Sequence, residues 1–283
     1  PGTLLSAIER LDELKNDGIN TIHILPIHPP GFKNAMGTAG SLYSPARFLE
    51  EDGSLAIDPV IIEKDDPRTP SEQFKAFIDE CHKRGIKAYW NHRFSEGGLD
   101  LESGRNELKQ KHRDWVIKTW WQEGLWNLAS PDLQEFKLDY ITKIMKKYDF
   151  DGICIDFLRH LPCLPVGKQW EYRECATEFM SKLKNSMIKL DRQIAVGAKL
   201  PENKESCHVD GFDVEKWAKS NTVDFVIGGS RTVNPDIDWY KKITKDTKIK
   251  SFEKEIVGLN IVKPGISNIK VITKSLSISS IKN

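Results

Sequence analysis

Asp156 closes Gly152-Ile-Cys-Ile-Asp156, a short apolar and partly β-branched run without helical periodicity, and the pattern predicts a buried strand. A carboxylate buried without a partner costs several kcal/mol, so an acid in that place belongs where the strand opens onto solvent at a cleft. In a parallel barrel that end of the strand carries the chemistry. A plainer reading stays open beside it, in which Asp156 caps the following segment or pairs with Arg159. The chain also holds 8 tryptophans, and several fall in loops that follow strands. Indole faces stack on the apolar faces of sugar rings, which makes Trp90, Trp120, Trp121 and Trp170 candidate subsites. Taken singly, each is more simply a ring covering a seam between helix and barrel. Of the histidines, His92 and His160 follow strands, and no His-x-His or HExxH pair marks a catalytic metal.

The elements that must position these residues repeat in one order. Leu4, Leu5, Ile8, Leu11 and Leu14 have helical spacing and Gly18 follows as a stop, so the first element is an amphipathic helix over 4–15. A strand over 20–26 comes next and ends in proline. The segment 28–58 is rich in Gly, Pro and Ser without a period, and a loop of that length is usually functional. Helix and strand then recur as 71–84 with Ser71 as cap and 86–91, as 132–147 and the Asp156 strand, and as 172–190 and 193–200. A short helix over 213–219 precedes a last clear strand over 223–228. Strands alternating with helices predict a parallel sheet. With no GxGxxG or GxxxxGK[ST] turn to suggest an open nucleotide-binding sheet, the expected class is α/β, a (β/α)8 TIM-type barrel that looks short at both ends. The barrel is expected over 1–247. Residues 248–283 read as an extension: one strand over 255–262, then a tail from about Ser267 without an identifiable core face.

Composition narrows the partners. Lys plus Arg number 42 against 41 for Asp plus Glu, a balance that excludes a nucleic-acid footprint and a charged membrane-binding surface. No apolar run approaches the length of a membrane span and no leader is evident, so the chain reads as soluble. The 5 cysteines are odd in number and lack zinc-site spacing, and Cys81 and Cys154 are expected as small core residues. A chain that begins with Pro1 is expected to be cut from something longer. Cytoplasmic or secreted location and oligomeric state stay undetermined.

Three segments together resemble the glycoside hydrolases of the α-amylase clan and related bacterial glycosyl-hydrolase-like families. Gly18-Ile-Asn-Thr-Ile-His-Ile-Leu-Pro26 with Gly40-Ser-Leu-Tyr-Ser-Pro45 and Ala56-Ile-Asp-Pro59 is similar to the clan's second strand, tyrosine loop and IDP motif. His82-Lys-Arg-Gly-Ile-Lys-Ala-Tyr-Trp-Asn-His92 is similar to the third-strand motif, and Tyr148 to His160 to the fourth-strand motif that bears the nucleophile. Lys111-His-Arg-Asp-Trp115 and Leu125 to Pro131 look more like the glycosyl-hydrolase-like branch. The resemblance covers roughly residues 4–230.

It implies Asp156 as the nucleophile of a retaining glycosidase acting on an oligo- or polysaccharide, most simply a glucan. It further implies Tyr43 as the platform beneath the sugar, and His92 and His160 as hydroxyl contacts. Trp90, Asn91, Arg159 and Lys199 are expected along the same cleft from the residues themselves. A retaining enzyme needs a second carboxyl group about 5 Å away as acid. The following strand ends near Lys199 rather than in Glu, so Glu202 or Glu205 is expected in that role. The family's arginine two residues before the nucleophile is Cys154 here, and Lys199 or Arg159 is expected to supply the charge from elsewhere. No cofactor is expected, although Asn91 could help hold a structural calcium of the kind amylases carry. Two other classes remain: a carbohydrate-binding barrel with a degenerate site, and a barrel enzyme for a phosphorylated metabolite, for which Gly228-Gly229-Ser230-Arg231 is the candidate loop.

Overall fold

Helix starts are written into the sequence most clearly at Thr69. Its hydroxyl accepts from the Glu72 amide while the Glu72 carboxylate accepts from the Thr69 amide, and Pro70 sits in the first turn, where a missing N–H costs nothing. Ser71, expected as the cap, instead shares a 2.8 Å hydrogen bond with the Tyr148 hydroxyl. The computed structural model describes residues 2–24, 27–31, 45–95, 107–119, 123–158, 160–229, 235–248, 250–253 and 269–271.

In chain order the first half contains α1 (Leu4–Ile8), α2 (Leu11–Asn16), β1 (Thr21–Ile24), α3 (Pro70–Lys83), β2 (Lys87–Arg93), α4 (Glu107–Lys111), β3 (Val116–Lys118), β4 (Glu123–Trp126) and α5 (Pro131–Lys147). The second half contains β5 (Gly152–Asp156), α6 (Arg173–Ile188), β6 (Ala195–Leu200), α7 (Lys204–Asp210), α8 (Val214–Ser220), β7 (Phe225–Gly228), α9 (Ile237–Thr244), β8 (Lys250–Glu253) and β9 (Ile269–Val271). Two compact units result: Pro1–His92 with Lys143–Ile153 and Glu255–Ser275, and Arg93–Thr142 with Cys154–Lys254 and Leu276–Asn283. Among the described elements, the chain passes from one to the other within β2, α5 and β5.

In the first unit, β1 and β2 run parallel, from Thr21 opposite Lys87 to Ile24 opposite Trp90. The single amphipathic helix expected over 4–15 is two helices, because the ladder tightens at Arg10, whose amide donates to Ala7 O three residues back. The apolar spacing survives the break: Leu4, Ala7, Leu11 and Leu14 are all buried, and α1 packs on α3. Phe74 of α3 meets Tyr148 and Phe150, the aromatic pair that leads into β5. Ile269–Val271 pairs antiparallel with β1, so a tail expected to lack a core face does contribute a strand. The strand expected over 255–262 lies outside the described residues.

In the second unit, β6, β7 and β8 are parallel neighbours. Gly197 of β6 faces the Phe225 ring of β7 so closely that a Cβ there would overlap it. Helix α6 buries Phe179, Met180, Leu183 and Met187, and its Thr177 hydroxyl accepts the Trp217 indole N–H at 2.8 Å. Two elements for which the sequence raises no expectation are present: the antiparallel hairpin β3–β4, and α7, capped by Asn203 and stopped by Gly211 in the left-handed region at φ 81°.

The same device appears once in each unit. Asp151, just before β5, donates its amide to Ala88 O at 3.0 Å and accepts the Ala88 amide on its carboxylate at 2.8 Å. Asp224, just before β7, does the same with Val196, at 2.7 and 2.9 Å. His82 lies 2.9 Å from the Asp151 carboxylate, and the Lys184 ammonium 2.9 Å from that of Asp224. Each aspartate thus adds a side-chain rung to the ladder at the start of its strand.

Candidate active site

The strand sequence buries every residue of β5, and Asp156 arrives at its last position almost without solvent exposure, at 3%. Both carboxylate oxygens are engaged. Oδ2 lies 3.0 Å from the Lys199 ammonium, and Oδ1 accepts the Leu158 amide at 3.0 Å. The backbone holds the same residues in place: Phe157 donates to Lys199 O and Phe94 donates to Asp156 O, each at 3.1 Å. Asp156 therefore both pairs with a cation and caps the segment after it. The cation is Lys199 of β6; Arg159 lies outside the described residues.

Cys154, two residues earlier and on the same face of β5, is fully buried. Burial, then the charge of Asp156, pushes its thiol well above the ordinary range, so it stays protonated and contributes no charge. The positive group beside the carboxylate comes from the neighbouring strand, as the Lys199 ammonium. The Phe94 ring packs 5.4 Å from Phe157, and the buried Lys137 ammonium sits 4.7 Å over that ring.

The acid candidates differ in setting. Glu202, two residues beyond β6, is buried, and its Oε2 has no hydrogen-bond partner among the described residues. Its backbone oxygen accepts the Asp236 amide at 2.7 Å, which ties the segment to the start of α9. Glu205 stands exposed in the first turn of α7. His160, half-buried, has a positive φ of 61°, and its carbonyl accepts the Ser95 hydroxyl at 3.2 Å.

The first unit holds Trp90, Asn91 and His92 near the end of β2. Trp90, expected among the sugar contacts, is 4% exposed and lies parallel to Phe150 at 6.3 Å, the packing of a core ring. Asn91 and His92 are buried, the latter 5.2 Å from Trp90 and 6.1 Å from Phe48 between ring centroids. Tyr43, Trp120, Trp121 and half of the phosphate-loop candidate, Ser230 and Arg231, lie outside the described residues. Among the described residues no group of three or more His, Cys, Asp and Glu side chains gathers as a metal site, and no helix is long and apolar enough to cross a membrane.

Solved structures that resemble this chain include α-amylases. The maltogenic α-amylase of Thermotoga neapolitana superposes with a TM-score of 0.57 at 17% identity, over 88% of this chain and 54% of its own. The fold is that of the α-amylases. An α-amylase from Lactobacillus plantarum gives 0.53 at 15% identity, over 88% of this chain and 57% of its own. The class is thus the (β/α)8 barrel that the order of elements predicts. No family model matches the sequence. Among curated proteins, the chloroplastic isoamylase of Zea mays is 28% identical over 108 residues, and the cyclomaltodextrinase of Thermoanaerobacter pseudethanolicus 23% identical over 177. The α-amylase-like chain covers 37% and 55% of itself in these matches and spans 13% and 27% of the relatives' own lengths.

Two features of the site were not anticipated from sequence. The Leu158 amide was readable in principle, since an aspartate accepting from the residue two places on is a common turn device. The Phe94–Lys137 contact joins a loop start to a helix face 43 positions later, and no local pattern marks it.

Proposed function

We propose that this α-amylase-like barrel acts on a glucan as a glycoside hydrolase, with Asp156 as the nucleophile. The observation that carries the reading is the setting of Asp156: a buried carboxylate at the outer end of a strand, aimed by one cation and one amide. Such fixed partners hold a nucleophile in one geometry and lower the reorganisation that attack requires. In a retaining reaction Asp156 bonds to the anomeric carbon as the glycosidic C–O bond breaks, and an acid gives its proton to the leaving oxygen. The same group then takes a proton from the water that releases the sugar. Glu202 is the acid this reading assigns, because it follows the adjoining strand and has a carboxylate oxygen without a hydrogen-bond partner among the described residues. The carboxyl groups suffice for this chemistry, and no cofactor enters it.

One observation favours a second reading, a barrel that binds glucan without cleaving it. Lys199 lies against the Asp156 carboxylate at the strand end where the resemblance leads one to expect glutamate. Reducing-sugar release from α- and β-glucans separates the two. Under the first reading the parent releases sugar, Asp156→Ala loses at least about a thousandfold, and Glu202→Gln loses the acid-dependent part. A parent that binds maltooligosaccharide and releases nothing from any glucan establishes the second.

A further inference from the structure

Two lysines are buried together in the second unit. Lys109 of α4 is 1% exposed and Lys137 of α5 is 3% exposed. Both side-chain nitrogens lie against the ring of Trp126, the last residue of β4, Lys109 at 4.5 Å and Lys137 at 5.4 Å from its centroid. Lys137 also lies 4.7 Å from the centroid of Phe94 and 5.9 Å from that of Tyr140. Ring faces favour a cation, yet two like charges taken out of water oppose each other in surroundings that screen them poorly. Burial first, and then the charge of Lys137, lowers the pKa of Lys109 from 10.5 to about 7. At neutral pH about half of such an amine is uncharged, against roughly one in three thousand for a lysine at its ordinary value.

An uncharged lysine is a nucleophile, and its burial decides what it meets. A sugar aldehyde or an acyl donor reaches this amine only if the rings around it move. Carbon dioxide is neutral, linear and three atoms long, and enters where those cannot. The lone pair of the amine bonds to the carbon of CO2, one C=O electron pair moves onto its oxygen, and a proton leaves the nitrogen for water or bicarbonate; nothing is oxidised or reduced. The product is a carbamate, with negative charge at the end of the side chain where positive charge stood. Repulsion from Lys137 becomes attraction, and the poor screening that penalised the like pair now favours the opposite one. Burial also preserves the product, because a carbamate reverts when its nitrogen takes up a proton, and solvent that delivers protons is held away.

We propose that Lys109 is a carbon dioxide site, carboxylated on its side-chain nitrogen in the folded protein and held in that form by the charge of Lys137. The modified side chain reaches the segment after Asp156 through Lys137 and two rings, since Phe94 packs 5.4 Å from Phe157.

Carbon-13 NMR of the full chain in carbon-13 bicarbonate, which keeps labelled CO2 in equilibrium with it, tests the proposal. The folded parent is expected to show a carbamate carbon distinct from bicarbonate and dissolved CO2, and the signal is lost in Lys109→Met. Trapping with triethyloxonium ion, which esterifies a carbamate, followed by peptide mass analysis locates the group in the parent itself and decides the matter even where Lys109→Met does not fold. Occupancy at Lys109 is expected at least about tenfold above that at any other lysine, as its larger uncharged fraction requires. The proposal is overturned if the folded parent carries no carbamate, if the signal survives Lys109→Met, or if the trapped groups are spread over surface lysines without enrichment at Lys109.

Discussion

Replacing Lys199 by methionine tests whether the Asp156 pair is what holds the strand end together. The Asp156 side chain is 4% exposed and that of Lys199 23%, with 3.0 Å between charged atoms. Removing one member of a buried pair costs about 3–5 kcal/mol, since it strands the other charge. The partial exposure of Lys199 and the surviving Leu158 amide put the expected loss at the lower end, about 3 kcal/mol. Replacing both members by apolar residues, Lys199→Met with Asp156→Leu, leaves no stranded charge and is expected within about 1 kcal/mol of the parent. Urea unfolding followed by circular dichroism at pH 7 on the parent, the two single variants and the double closes the cycle. The coupling should be about 2 kcal/mol or more. Lys199→Met costing under about 1 kcal/mol, or additivity within about 0.5 kcal/mol, would refute the view that the lysine is the carboxylate's essential partner.

His28 is buried, its Nδ1 2.8 Å from Ala56 O, and burial, only partly offset by that hydrogen bond, lowers its pKa from 6.5 to about 4. The unfolded chain therefore takes up this proton before the folded one does. The contribution is fully present above pH 6.5 and is lost as pH falls towards 4, about 3 kcal/mol in all at ~1.4 kcal/mol per pH unit. His28→Gln should flatten that part of a stability-against-pH curve, and an unchanged slope would show that His28 titrates normally. Gly197→Ala drives a methyl into the Phe225 ring and should cost about 1–3 kcal/mol in urea unfolding, with partial recovery when Phe225→Leu is added. Thr69→Ala removes the cap of α3 and should cost about 1 kcal/mol, whereas Ser71→Ala leaves the cap intact.

Where a local signal and a burial signal agreed, the fold was legible. β5 was read from five residues because an apolar run without period, bounded by Asp151 and Asp156, has few other structures open to it. Helix α3 was read through Pro70 and the apolar face Phe74, Phe77, Ile78 and Cys81, all buried, although its cap lay two residues earlier than expected. The misses have physical causes. α7 has only Cys207 and Asp210 facing inward and Val209 facing solvent, so its periodicity is nearly silent and only its ends, Asn203 and Gly211, mark it. The hairpin β3–β4 is too short for alternation to register. At the site, Asp156 was legible as an acid ending a buried strand. Its partner was narrowed to Lys199 or Arg159 but not chosen, since strand neighbours are set by topology rather than by spacing along the chain.

The rungs made by Asp151 and Asp224 have a further consequence. A strand can slide past its neighbour only in steps that reverse which side chains face inward, and whatever blocks the first step secures the whole strand. Here the block is at the beginning: the carboxylate and amide of one aspartate grip both polar groups of a single residue opposite. The far ends of these strands are thereby relieved of holding alignment. Cys154 and Lys199, at those far ends, can be exchanged for other residues without any shift in which residues meet. Each of these strands keeps its alignment at one end and so leaves the other free to change.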